Sequence, residues 1–328
     1  VVMAYLVLWS FFVGSALISA CGVALHALLP VFDDARTGKI VFGILCILAG
    51  WALVLACGYS LFEKFMKVCI GLMFMTVLVT AAVLWPGTEA VLAGLFVPTI
   101  PESEGSLGWT VALIGGVGGT VTVLCYGYWI REEQRDGPNE ITNSRIDLAA
   151  AYLVTAVFGI AMVIIGSTIE LEGRGASLLV DLSTRLGESL GTAGKWAFLV
   201  GATGAVFSSL LGVWQAVPYL FADLWRLLMN RGDGPDGHGA VDTGSAPYRA
   251  YLAAIGLVPM LGLFQDFREV QKLYAVIGAW FLPALTLSLL ILNGRGKRGN
   301  GALGNHPLTV VVLVLILCFF SWVAVRSF

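Results

Sequence analysis

The stretch Trp109–Ile130 reads WTVALIGGVGGTVTVLCYGYWI. It is long and apolar enough to cross a bilayer, which takes about 20 residues of helix. Yet Gly115, Gly116, Gly118 and Gly119 fall within five positions, and Thr120, Val121 and Thr122 follow. Each glycine costs about 1 kcal/mol in a helix relative to alanine, and β-branched residues add to the cost. Two readings stand. In one, the span unwinds at mid-membrane within Gly115–Thr122, and the freed carbonyls line a cavity or an ion site, because lipid offers them no donor. Discontinuous helices of this kind form the midplane sites of many secondary transporters. In the other, the glycines let a second helix approach closely; Gly115 and Gly119 have the G-x-x-x-G spacing for it.

The rest of the chain has the same apolar character. Of its 328 residues, 58% are hydrophobic, 40 more are glycine and only 12% are charged, against about 25% charged in a soluble domain. So few charges make neither a soluble surface nor a disordered chain. An all-α polytopic membrane protein follows, read as a single transmembrane domain over residues 1–328. Nine stretches are read as spans: Met3–Leu29, Ile40–Leu61, Phe65–Trp85, Trp109–Ile130, Leu148–Ile169, Trp196–Phe221, Tyr248–Phe264, Leu273–Leu292 and Leu308–Val325. Ala90–Phe96 reads as a short helix at the interface, Leu178–Leu190 as an amphipathic surface helix, and Asn230–Pro247 as a Gly- and Asp-rich loop. The chain opens on Val1 already inside an apolar run, without a charged leader or an A-x-A site, and is read as lacking its N-terminal part.

Orientation comes from lysines and arginines in the connectors. Connectors alternate between the two sides. The set holding Lys64, Arg131, Arg226 and Arg295 carries eleven basic residues; the other set, with the C-terminal tail, carries eight. The contrast is sharpest where Pro86–Gly108 has none and Arg131–Asp147 has three. Arg131–Asp147 is therefore placed in the cytoplasm and Pro86–Gly108 outside. A net charge of −2 leaves no basic footprint for nucleic acid.

Few groups inside the spans carry chemistry. The acids lie in connectors or at span edges. Lys67 sits one turn into its span and snorkels. His26 is read as a buried or interfacial histidine, without an acid, Cys or second His beside it. The six cysteines lie in apolar stretches and form no C-x-x-C pair, as small buried hydrophobes do. No G-x-S-x-G, H-E-x-x-H or histidine cluster appears, so no catalytic set is visible and no cofactor is implied. Trp196–Phe221 adds Thr203, Ser208, Ser209, Gln215 and Pro218. Ser208 and Gln215 are seven apart and share a face, as interhelical polar contacts or as part of a site.

Taken in order, these stretches resemble the Nramp family of divalent-metal transporters over nearly the whole chain. EAVLAGLFVP resembles the link into that family's sixth helix, and ALIGGVGGTVTVLCYGYWIREE the sixth helix itself. LFEKFMKVCIGLMF resembles the start of the fifth, GAVFSSLLGVWQAVPYLFADLW the eighth, and FLPALTLSLL the tenth. The nine spans then match family helices three to eleven. The resemblance implies a LeuT-like inverted-repeat fold, N-terminally truncated here, with about nine transmembrane helices and a midplane ion site. The first two helices, which bring the family's Asp-Pro-Gly-Asn motif, are then missing. It also implies alternating access, in which Met3–Leu29, Ile40–Leu61, Leu148–Ile169 and Trp196–Phe221 form a scaffold. Phe65–Trp85, Trp109–Ile130 and Leu273–Leu292 then belong to the moving bundle. The partners are a divalent metal cation and the lipid bilayer, in a bacterial-type plasma membrane.

The departures from the family narrow the cargo. Its sixth helix usually carries Met-Pro-His; Gly119, Thr120 and Val121 stand there, and Gly116 falls where a family carbonyl faces the metal. Met3–Leu29 lacks the acids that the family's third helix uses in proton movement. These departures resemble a divergent Nramp-related branch associated with harder cations such as magnesium. The metal-site residues on this reading are Gly116, Gly118, Gly119, Thr120, Thr122 and Gln215. Two other functions stay open: an amino-acid or amine carrier of the same superfamily, with Tyr126, Tyr128, Trp129 and Trp280 lining a larger cavity, and a transport-dead scaffold or sensor.

Overall fold

The computed structural model describes residues 2–56, 59–97, 99, 105–116, 121–132, 140–168, 178–229, 241–294 and 305–327. All regular structure among them is helical. The helices are α1 (Val2–Leu28), α2 (Ala35–Ala56), α3 (Tyr59–Val83), α4 (Thr88–Phe96), α5 (Ser106–Gly116), α6 (Cys125–Glu132), α7 (Glu140–Thr168), α8 (Leu178–Leu228), α9 (Ala246–Leu257), α10 (Phe267–Ala279), α11 (Phe281–Gly294) and α12 (Pro307–Ser327). A 3-10 segment, Val121–Leu124, precedes α6, and a second, Val258–Phe264, follows α9. Among the described residues six helical stretches are long and apolar enough to cross a bilayer, or seven if α3 and α4 together make one bent span.

The described residues of the nine expected spans are largely helical, with corrections. The connector expected between Leu61 and Phe65 is helical: α2 ends at Ala56 and α3 already begins at Tyr59. Phe-Glu-Lys at 62–64 holds no glycine or proline to stop a helix. The seventh span turns from α-helix to 3-10 at Val258, next to Pro259, which has no N–H to give and crowds the preceding turn. The eighth is interrupted at Trp280. Pro283 lies in the first turn of α11, and its ring displaces the carbonyl four residues back. The amphipathic Leu178–Leu190 forms the first part of α8 and is a helix of its own, set off from the rest at Gly191. As one rod α8 would run about 75 Å at 1.5 Å per residue, far beyond the bilayer core; Gly191, at φ 72°, breaks it. Leu186 and Ser183 in that first part are buried. Between α3 and α4 the chain bends by 114° at Pro86 and Gly87, whose φ is 105°. α4 buries none of its residues.

The chain forms two compact units, each made of two stretches: residues 1–99 with 124–271, and 100–123 with 272–328. In the first, α1 runs through the centre and packs on α2, α8, α9 and the 3-10 segment after α9. Glycines set the distances, as close helix approach requires. A Cβ on Gly22 would overlap the Lys39 carbonyl, and one on Gly43 would lie 3.3 Å from the Ile18 carbonyl. His26 lies over Gly38; it is buried, and its Nδ1 has no hydrogen-bond partner. α3, expected in the moving bundle, packs on α7 and α8 in this unit. Gly201 and Gly204 of α8 let it close onto Met73 and Cys69. In the second unit, Val111 of α5, Ala279 of α10, and Phe320 and Val323 of α12 share a core.

Candidate metal site

The described part of α5 runs to Gly116, inside the glycine cluster, residues 117–120 lie outside the described residues, and the chain resumes at Val121 in 3-10 rather than α geometry. Gly115 and Gly116 then do different things. A Cβ on Gly115 would overlap the Ala275 carbonyl and lie 2.6 Å from the Ala279 nitrogen, whereas one on Gly116 would find only the Ala275 Cβ, at 4.0 Å. Gly115 thus serves close packing of α5 on α10, and Gly116 is exposed. The close-packing reading of the cluster holds at Gly115.

Of the other candidate residues, Gly118, Gly119 and Thr120 lie outside the described residues, as does the side chain of Thr122, whose backbone is in the 3-10 segment. Val121, where the family resemblance places histidine, is fully buried. Gln215 is an exposed residue of α8, between buried Trp214 and Ala216. The hydroxyls near it donate within their own helix. Thr203 donates to the Leu199 carbonyl at 2.8 Å, and Ser208 and Ser209 donate to the Ala205 carbonyl at 2.8 and 2.9 Å. Back-bonding to one's own helix satisfies a hydroxyl's donor without a partner helix. Among the described residues no group of three or more His, Cys, Asp or Glu is placed to hold a metal.

The sequence profile described as "Nramp: Natural resistance-associated macrophage protein-like" matches residues 1–328. The chain belongs to the Nramp family. No curated protein matches it. Membership makes it an integral multi-pass membrane protein of LeuT-like fold, in a family that carries divalent metal ions across membranes.

For an Nramp protein, an apolar cavity of the first unit is no cation site. It measures about 340 Å³ and is lined by Cys21, Cys46 and Cys69 among leucines, alanine, valine and phenylalanine. Its Thr203 hydroxyl is already committed to helix α8. A bare ion there would lose its water and gain no oxygen, at a cost of many kcal/mol. Cys21, Cys46, Cys69 and Cys125 are buried as expected; Cys318 is exposed.

The tyrosines offered above as the lining of an organic-substrate cavity have other partners. The Tyr126 hydroxyl donates to Asp147 Oδ2 at 2.9 Å and the Tyr128 hydroxyl to Asp223 Oδ2 at 2.6 Å. The Trp129 side chain lies outside the described residues, and Trp280 is partly exposed. Sequence reading passed over Asp223. Its one signal was an acid three residues before Arg226, at the end of a long apolar run.

Proposed function

We propose that this Nramp protein is a secondary active transporter of hard divalent cations, Mg²⁺, Ca²⁺ or Mn²⁺, working by alternating access in a bacterial-type plasma membrane. The observation that supports the reading is the 3-10 geometry of Val121–Leu124, an irregular stretch inside an apolar span. Half-helix ends and unwound carbonyls at mid-membrane are where secondary transporters hold cations. The proposed ligands are carbonyl oxygens near Gly116 and Gly118 and the hydroxyls of Thr120 and Thr122. Such oxygens suit hard ions, whereas a thioether selects softer ones. Gly119, where the family's methionine stands, leaves room beside the ion. Mg²⁺ sheds its water reluctantly and usually keeps several waters when bound, so that room suits a partly hydrated ion.

The test is uptake by the full-length protein in proteoliposomes, comparing Mg²⁺ with Cd²⁺. Wild type is expected to take up Mg²⁺ and to neglect Cd²⁺, and Gly119→Met to shift the preference toward Cd²⁺. A wild type that prefers Cd²⁺ overturns the softness argument, and one that moves neither ion supports the scaffold or sensor reading instead.

A further inference from the structure

The described part of α6, Cys125–Glu132, is held in place by tertiary contacts. Polar contacts tie it to α7 and α8 within the first unit. The buried Cys125 thiol meets the Ala216 carbonyl at 3.9 Å. Tyr126 bonds Asp147 on the exposed side, where water competes for both groups.

The Tyr128 contact differs. Its acceptor, Asp223, is 7% exposed, and the carboxylate's other oxygen accepts from the Arg226 guanidinium at 2.7 Å. The Tyr219 ring stands edge-on to Tyr128 with centroids 5.3 Å apart, and the Tyr219 hydroxyl accepts from the Val241 N–H at 3.1 Å. The bond is thus short, ends on an ionised and buried acceptor, and is walled by a second ring. Hydrogen bonds to ionised groups are about twice as strong as neutral ones.

We infer that the Tyr128–Asp223 bond is a latch that positions α6 on α8, and that it releases each time the protein opens on the side where α6 ends. Its part in transport rests on the alternating-access reading above; the bond and its release can be measured without any metal. Tyr128 and Asp223 are positioning residues here, since neither belongs to the proposed metal ligands. Release swings Cys125 away from Ala216, so the thiol reports the open state.

The experiment uses the full-length protein with Cys125 retained and its other cysteines replaced by serine. The rate of Cys125 alkylation by N-ethylmaleimide is read in metal-free buffer. Tyr128→Phe keeps the ring and its contact with Tyr219 and removes only the hydroxyl. It is expected to raise the rate about ten- to a hundredfold, the population shift from losing one hydrogen bond to a charged group. Asp223→Asn keeps an uncharged acceptor and is expected to fall between wild type and Tyr128→Phe. Tyr126→Phe, on the wet side, stays within about twofold of wild type. An unchanged rate in Tyr128→Phe overturns the latch, and so does an equal rise in Tyr126→Phe. If Tyr128→Phe aggregates on gel filtration, Asp223→Asn decides alone, and labelling at the wild-type rate overturns the latch. Metal uptake by the same proteins separates the two readings. Faster labelling in a protein that moves no metal keeps the latch and ends the transport reading. Uptake with unchanged labelling does the reverse.

Discussion

Replacing Gly115 with alanine is expected to loosen α5 from α10, while the same change at Gly116 is not. At Gly115 the added carbon meets the Ala275 carbonyl and the Ala279 nitrogen, the latter at 2.6 Å. Both are main-chain atoms, so no side chain can rotate out of the way and the helices themselves must part. Overpacking costs about 1–3 kcal/mol, and contact with main-chain atoms puts this case at the upper end, about 2–3 kcal/mol. Alanine's better helix propensity returns up to about 1 kcal/mol, which leaves a net loss of about 1–2 kcal/mol. At Gly116 the nearest atom stands at 4.0 Å, an ordinary contact, and the residue is not among the glycines with positive φ. The assay is the melting temperature of the purified full-length protein in detergent, followed by tryptophan fluorescence. At about 2–4 °C per kcal/mol, Gly115→Ala should melt about 2–8 °C below wild type, and Gly116→Ala within about one degree of it. If Gly115→Ala melts with wild type, or both variants fall together, the packing role assigned to Gly115 is wrong.

Two further outcomes are expected. Asp34 caps α2, accepting from the Thr37 hydroxyl at 2.7 Å and from the backbone N–H groups of Thr37 and Arg36. The Thr37 hydroxyl bond, then those backbone bonds, hold its carboxyl below the usual carboxylate range. A lowered folded-state value gives stability that is present above the ordinary carboxylate pKa of about 3.9 and is lost as pH falls through the folded value. Asp34→Ala should therefore melt slightly below wild type at pH 7, and the gap should close in acid; a gap that persists in acid refutes the linkage. For topology, a cysteine at Ser103 should react with an impermeant maleimide added outside intact cells and one at Asn139 should not; the opposite pattern inverts the orientation.

Sequence alone determined the membrane class and the helical character. These properties follow from composition and from run length, which the bilayer reads directly: about 20 apolar residues suffice wherever they stand. It also located the irregular segment, because a glycine cluster is a local cost independent of neighbours. The motifs it quoted were enough to point to the family. Span edges were less legible. Nothing between Leu61 and Phe65 marks helix, yet α3 runs through it, and Gly191 marks a turn only because its φ of 72° is known from the fold.

Tertiary structure alone decided what individual residues do. Gly115 and Gly116 are the same amino acid one position apart; only the place of α10 makes one a packing contact and leaves the other open. Ser208 and Ser209 were legible as polar groups in a span, but whether they serve another helix depends on rotamers, and they return to Ala205. Asp223 was legible only as an acid at a span edge. Its pairing with Tyr128 joins residues 95 apart in sequence, and no periodicity along one helix encodes the meeting of two. Spans follow from local free energies of transfer, which add along the chain, whereas sites follow from which helix faces meet, which is a property of the packed molecule.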